Sequence, residues 1–257
     1  MRCPVCGKRY TLSRADVVDA EPGDDGDRMR RSGSGSWRFG HGDMGYLHAA
    51  LFVRDAARLP VAPAADIPPR LAGEVPDCAD VVEPGDRLVA GEQWVAWWHQ
   101  LVGQAVREGQ RSGTRPPAGP EDDFETVIRH RFGGQQEVFD PPGFDSLAGM
   151  QPLRSAVIKT QARWQLWSSH QPGSGAERPE VFAYRIVRQA AESTAAVLGV
   201  AASELNGYAH VLEVEGLWSY LVGPGCALCS AALACDPQAA ARLLREVFSS
   251  GLAGSGP

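Results

Sequence analysis

Apolar positions recur at helical spacing in several stretches of this chain and alternate with polar ones in one. In GDMGYLHAALFVRDAARLP, Leu47, Ala50, Leu51 and Arg58 share a helical stripe, with Asp43 as the expected cap and Pro60 as the stop. A strand through YLHAALFV is the competing reading. GEQWVAWWHQLVGQAVREGQ is the clearest helix, because Trp94, Trp97, Trp98, Leu101, Val102 and Ala105 fall on one broad face. Asp122 or Asp123 is expected to cap a short helix through FETVIRHRF, and residues 152–169 form another through Leu153, Val157, Trp164 and Trp167. Pro179 suits the first turn of a helix that runs through Phe182, Ile186, Ala190 and Val197 to Leu198, with Gly199 as its C-cap.

The period then changes. YAHVLEVE alternates, Gly216 permits a turn, and LWSYLVG returns, which predicts an antiparallel hairpin. PGCALCSAALAC is small and apolar and fits strand or helix. Asp236 and Pro237 then open a final amphipathic helix with Leu243, Leu244, Val247 and Phe248 inward. Between the periodic stretches, residues 60–90 carry six prolines and read as an extended surface segment. Residues 21–36, EPGDDGDRMRRSGSGS, read as a flexible linker. The expected organisation is an appendage at 1–20, the linker, and one globular domain over 37–257. Its class is α+β, a helix-rich body around a small antiparallel sheet that includes a C-terminal hairpin followed by a helix.

Composition narrows the function. At 257 residues, 44% apolar and 22% charged, the chain can bury a core without disulfide staples. A net charge of −6 argues against a nucleic-acid partner, whose affinity comes largely from basic groups on phosphates. Of the basic residues only Lys8 and Lys159 are lysines, an arginine bias that reads as GC-rich coding. No stretch approaches the roughly 20 apolar residues of a membrane helix. The opening residues carry Cys, Pro and Lys where a signal peptide needs an apolar run, so the expected compartment is the cytoplasm. The six cysteines are then expected to be reduced.

Two of them begin the chain's candidate chemistry. In CPVCG, Cys3 and Cys6 flank a tight turn that can aim both thiolates at one ion, with Gly7 and Tyr10 just beyond. This decapeptide resembles the first knuckle of zinc-ribbon proteins, a resemblance confined to about ten residues. It implies a structural zinc and a second knuckle. The other C-x-x-C, Cys226 and Cys229 in GCALCS, completes the expected set Cys3, Cys6, Cys226 and Cys229, although Ser230 stands where a knuckle glycine belongs. Other completions are His41 with His48, Cys78, or a second protomer. The Ala-rich flanks of Cys226, Cys229 and Cys235 equally fit plain burial. A thioredoxin-like redox role is disfavoured by the lack of a βαβ pattern.

Two function classes remain. The first is a non-catalytic interaction or adaptor protein, stabilised by zinc, that binds a protein partner or forms a homo-oligomer. It rests on the tryptophan faces, where Trp is a common interface anchor, and on the absence of a complete catalytic motif. The tryptophan spacing itself favours core. The second is an enzyme with dispersed residues, using Cys226 with His210 or the cluster His41, Asp43 and His48. His99 beside the tryptophan face reads as a satisfied histidine.

Overall fold

The computed structural model describes residues 37–114, 138–170 and 180–253. The zinc-knuckle segment with Cys3 and Cys6, the linker at 21–36, the FETVIRHRF helix and Pro179 lie outside these residues. Four strands, β1 (Arg38–Gly42), β2 (Asn206–Leu212), β3 (Ser219–Gly223) and β4 (Cys226–Ser230), form one sheet in the order β1-β2-β4-β3. β1, β2 and β4 run parallel, and β3 is antiparallel to β4. Six helices are described: α1 (Gly45–Ala56), α2 (Arg87–Thr114), α3 (Gln151–His170), α4 (Tyr184–Leu198), α5 (Ala231–Cys235) and α6 (Pro237–Ala253). The α+β class and a C-terminal hairpin followed by a helix are as the sequence predicts, but the sheet is mixed and not antiparallel, with only β3 reversed.

Sheet alternation divides the core in two. Leu212 and Leu228 join a cluster built with α1, α2 and α3. Ala209, Ala227 and Cys229 join one built with α4, α5 and α6. The sheet is therefore a layer between two helical layers. That placement explains β4: CALCS is buried at every position, so it shows no alternation to read.

The hairpin pairs different strands from those expected. β3 does not return beside β2, because β4 lies between them. The chain leaving β2 is drawn to the proline-rich segment instead. Ala72 donates to the Glu213 carbonyl and Glu215 to the Arg70 carbonyl around a Leu71–Val214 bridge. Other expectations also shift. Asp43 does not cap α1. Met44 occupies the N-cap with no side-chain bond, and the Asp43 carboxylate is taken by His48 one turn into the helix. α1 ends at Ala56, so Arg58 lies beyond it in a left-handed conformation (φ 52°). α4 begins at Tyr184 because Phe182 is also left-handed (φ 51°) and its amide bonds the Ala234 carbonyl. Gly199, at φ 68°, does close α4, and Asp236 does cap α6, accepting from the Ala239 amide at 2.7 Å.

The proline-rich segment has almost no regular structure, yet side chains satisfy many of its backbone groups. Trp98, Trp167 and Trp218 donate their indole N–H to the carbonyls of Asp66, Glu74 and Ala65. The buried Arg54 guanidinium donates to the Pro68 and Pro69 carbonyls at 2.6 and 2.7 Å. Asp55 holds Arg54 at 2.7 Å and accepts the Leu71 amide at 2.8 Å. Removing Arg54 would strand the buried Asp55 carboxylate. Arg54→Met is expected to lower stability by about 3 kcal/mol. Arg58→Ala, which breaks only an exposed pair with Asp77, is expected to cost about 0.5 kcal/mol or less. Urea denaturation of the two variants checks both values.

Candidate functional site

Polar side chains gather where α2 crosses the α1-side face of the sheet, near the carboxyl ends of the parallel strands β1 and β2. Such ends are where open α/β sheets commonly place their sites. β1 contributes no side chain here, since Gly40 and Gly42 face Tyr208 of β2. A Cβ at these two positions would lie 2.9 Å from the Tyr208 ring and 2.6 Å from its hydroxyl. The glycines therefore let the tyrosine lie flat across β1. Its ring lies 4.8 Å from that of His210, two residues along the same face.

His210 is fully buried and its Nε2 bonds the Ala105 carbonyl of α2 at 3.0 Å. A carbonyl can only accept, so Nε2 carries the proton and Nδ1 is bare. Nδ1 has no hydrogen-bond partner among the described residues. Burial, opposed by the Ala105 bond and the Asp43 charge, pushes the His210 pKa down to about 4.

His48 is committed at both nitrogens. Nδ1 pairs with Asp43 at 2.8 Å, and Nε2 accepts the Glu213 amide at 2.9 Å. Burial disfavours the imidazolium, but the Asp43 carboxylate, with Glu213 behind it, holds the pKa above its ordinary value. The amide at Nε2 fixes the Nδ1–H tautomer of the neutral ring, so no ring lone pair is left for a substrate. Nearby, the Tyr46 hydroxyl donates to Glu108 at 3.2 Å. Burial, and then the Glu108 charge, raises its pKa far above the ordinary tyrosine value. Gln104 donates to the same carboxylate at 2.9 Å and accepts the Val138 amide at 3.2 Å.

The remaining candidates separate. His41 faces the other side of β1, with its ring 5.8 Å from Phe182, so it does not join Asp43 and His48. His99 is satisfied by Asp66 at 2.7 Å. Cys78 is buried, with its Sγ toward the Pro76 carbonyl. Cys226 and Cys229 are three residues apart on a strand, so their side chains point to opposite faces. Burial pushes both thiols up to about 12, with Cys235 adding to the effect at Cys229. This pair does not form a knuckle. Cys226 stays a thiol at neutral pH, whereas a nucleophile needs the thiolate. Among the described residues, no three His, Cys, Asp or Glu side chains gather as a metal group.

The tryptophan faces are core. Trp94, Trp97 and Trp98 are fully buried, with Trp94 and Trp98 stacked at 5.5 Å. The exposed apolar feature lies instead at β3. Leu217, Tyr220 and Leu221 are 62%, 37% and 37% exposed. Among the described residues β4 flanks β3 on one side and no strand flanks it on the other. A signal for it was present in the sequence: no Lys or Arg occurs between Arg188 and Arg242, so this edge lacks the charge that usually guards one. No protein-family model, curated protein or solved structure matches this chain.

The His210 environment sets an acid response. Its pKa is about 4 in the folded chain against 6.5 unfolded, so between those values the unfolded state binds the extra proton. Stability falls as pH drops through that window and levels off below it, with a total loss of about 3 kcal/mol from this group. His210→Gln keeps a donor for the Ala105 carbonyl but does not titrate. Denaturant titrations at pH 7 and pH 4.5 are expected to show a smaller acid loss in the variant than in the wild type.

Proposed function

We propose that this chain is a non-catalytic interaction protein whose β3 edge takes up an extended strand. One observation carries the reading: β3 is uncharged, exposed and apolar, and is flanked by a strand on one side only among the described residues. Trp218 accepts the Ser230 amide through its carbonyl. By antiparallel alternation, Tyr220 then bonds β4, while Ser219 and Leu221 aim their N–H and C=O outward. An added strand would satisfy those groups, as in strand-addition recognition. The polar cluster supports the same reading. His48 has no free nitrogen, His210 stays neutral well below pH 7, and the Cys226 thiol ionises only near 12. At neutral pH neither His210 nor Cys226 exchanges a proton.

Panning a random linear heptapeptide library against the full chain tests the edge. Apolar, β-branched and aromatic sequences are expected on the wild type and on Val197→Lys, a change at an exposed site on α4 away from β3. They are expected to be lost on Leu221→Lys. Equal enrichment on wild type and Leu221→Lys overturns the proposal.

The zinc belongs to this proposal, held by Cys3 and Cys6, with CPVCG as its support. So does a cytoplasmic setting, the compartment where cysteines stay reduced. No helix among the described residues is long and apolar enough to cross a membrane. Elemental analysis is expected to find zinc in the wild type and in Cys226→Ser, and little in Cys3→Ser. Equal zinc in wild type and Cys3→Ser removes the knuckle from the proposal.

A further inference from the structure

The strand that β3 accepts can be specified further, on the reading that β3 is the docking edge. We propose that it is β3 of a second copy of this chain, antiparallel about a two-fold axis at Leu221. The first ground is that the edge is apolar on both faces. Tyr220 stands opposite Leu228 on the α2 side, and Leu221 opposite Ala227 on the α6 side. Leu228 belongs to one core cluster and Ala227 to the other. A single extended peptide would pair the backbone but leave both faces open to water. A second copy brings a helical layer to each face and continues the three-layer packing across the junction.

The second ground is charge. β3, Ser-Tyr-Leu-Val-Gly, has no charged residue, and the chain between Arg188 and Arg242 has no cation. An acidic or basic partner strand would find no opposite charge on β3 itself, whereas an identical neutral strand meets its match. β1, at the other edge of the sheet among the described residues, carries the charged Arg38.

The third ground is register. The Leu221 N–H and C=O both face outward, so two copies can exchange a pair of hydrogen bonds at Leu221, just before the irregularity between Leu221 and Gly223 where the pairing with β4 shifts by one residue. That arrangement is self-complementary, as a two-fold interface requires.

Sedimentation velocity of the full chain over a wide concentration range tests the inference. A monomer–dimer equilibrium is expected for the wild type and for Val197→Lys. Leu221→Lys places two ammonium groups across the axis and is expected to weaken the dimer roughly hundredfold or more. Ser219→Pro removes an outward N–H without touching the bonds to β4, and is expected to weaken it roughly tenfold. It keeps the test valid should Leu221→Lys fold poorly. A wild type that stays monomeric while still capturing strand peptides overturns the second copy and leaves the docking edge standing. A dimer that survives both substitutions places its contact elsewhere and overturns the inference.

Discussion

A backbone carbonyl packed against the protein body needs a donor, and in one irregular segment of this chain side chains supply many of them. The segment between Pro60 and Pro84 is too rich in proline to bond itself as helix or sheet. Its carbonyls are met by indole N–H groups from α2, α3 and the β3 approach, and by the guanidinium of Arg54 from α1. Arg87 and Lys159 reach two more, at Ala79 and Val81. Five indoles (Trp94, Trp97, Trp98, Trp167 and Trp218) each donate to a main-chain oxygen. The aromatic load therefore serves two purposes, filling the core with rings and tying irregular chain to regular elements.

That anchoring shapes the sheet. Because residues 70–72 are fixed against α1, they recruit the chain leaving β2 through the Leu71–Val214 bridge. β3 is displaced to the far edge, and the small residues of β4 take the place beside β2. The same arrangement places α2 over Tyr208 and His210, where the glycines of β1 leave room for the tyrosine. The result is a buried polar cluster on the α2 face of the sheet and an uncharged strand at its margin among the described residues.

The contrast between the two edges carries the functional reading. β1 ends the sheet with an arginine and a histidine, whereas β3 ends it with a tyrosine and a leucine, each more than a third exposed. An exposed apolar edge is a hazard to any monomer unless it has an occupant. This strand presents apolar side chains toward both helical layers, Tyr220 on one side and Leu221 on the other.

The amino-acid order by itself determined the amphipathic elements. The Trp94, Trp97 and Trp98 face, the Gly199 cap and the Asp236–Pro237 start of α6 depend on neighbours within one or two turns, where spacing and side-chain chemistry suffice. It did not determine what those elements meet. CALCS became a central strand only because both of its faces found helices. Asp43 left its capping role because His48 came within reach, and Phe182 turned left-handed because Ala234 offered a carbonyl. Cys226 and Cys229 look like a ligand pair in one dimension, but on a pleated strand their sulfurs point into different cores. Strand order, protonation and edge exposure are set by contacts between residues far apart in the chain, and no local period encodes such contacts.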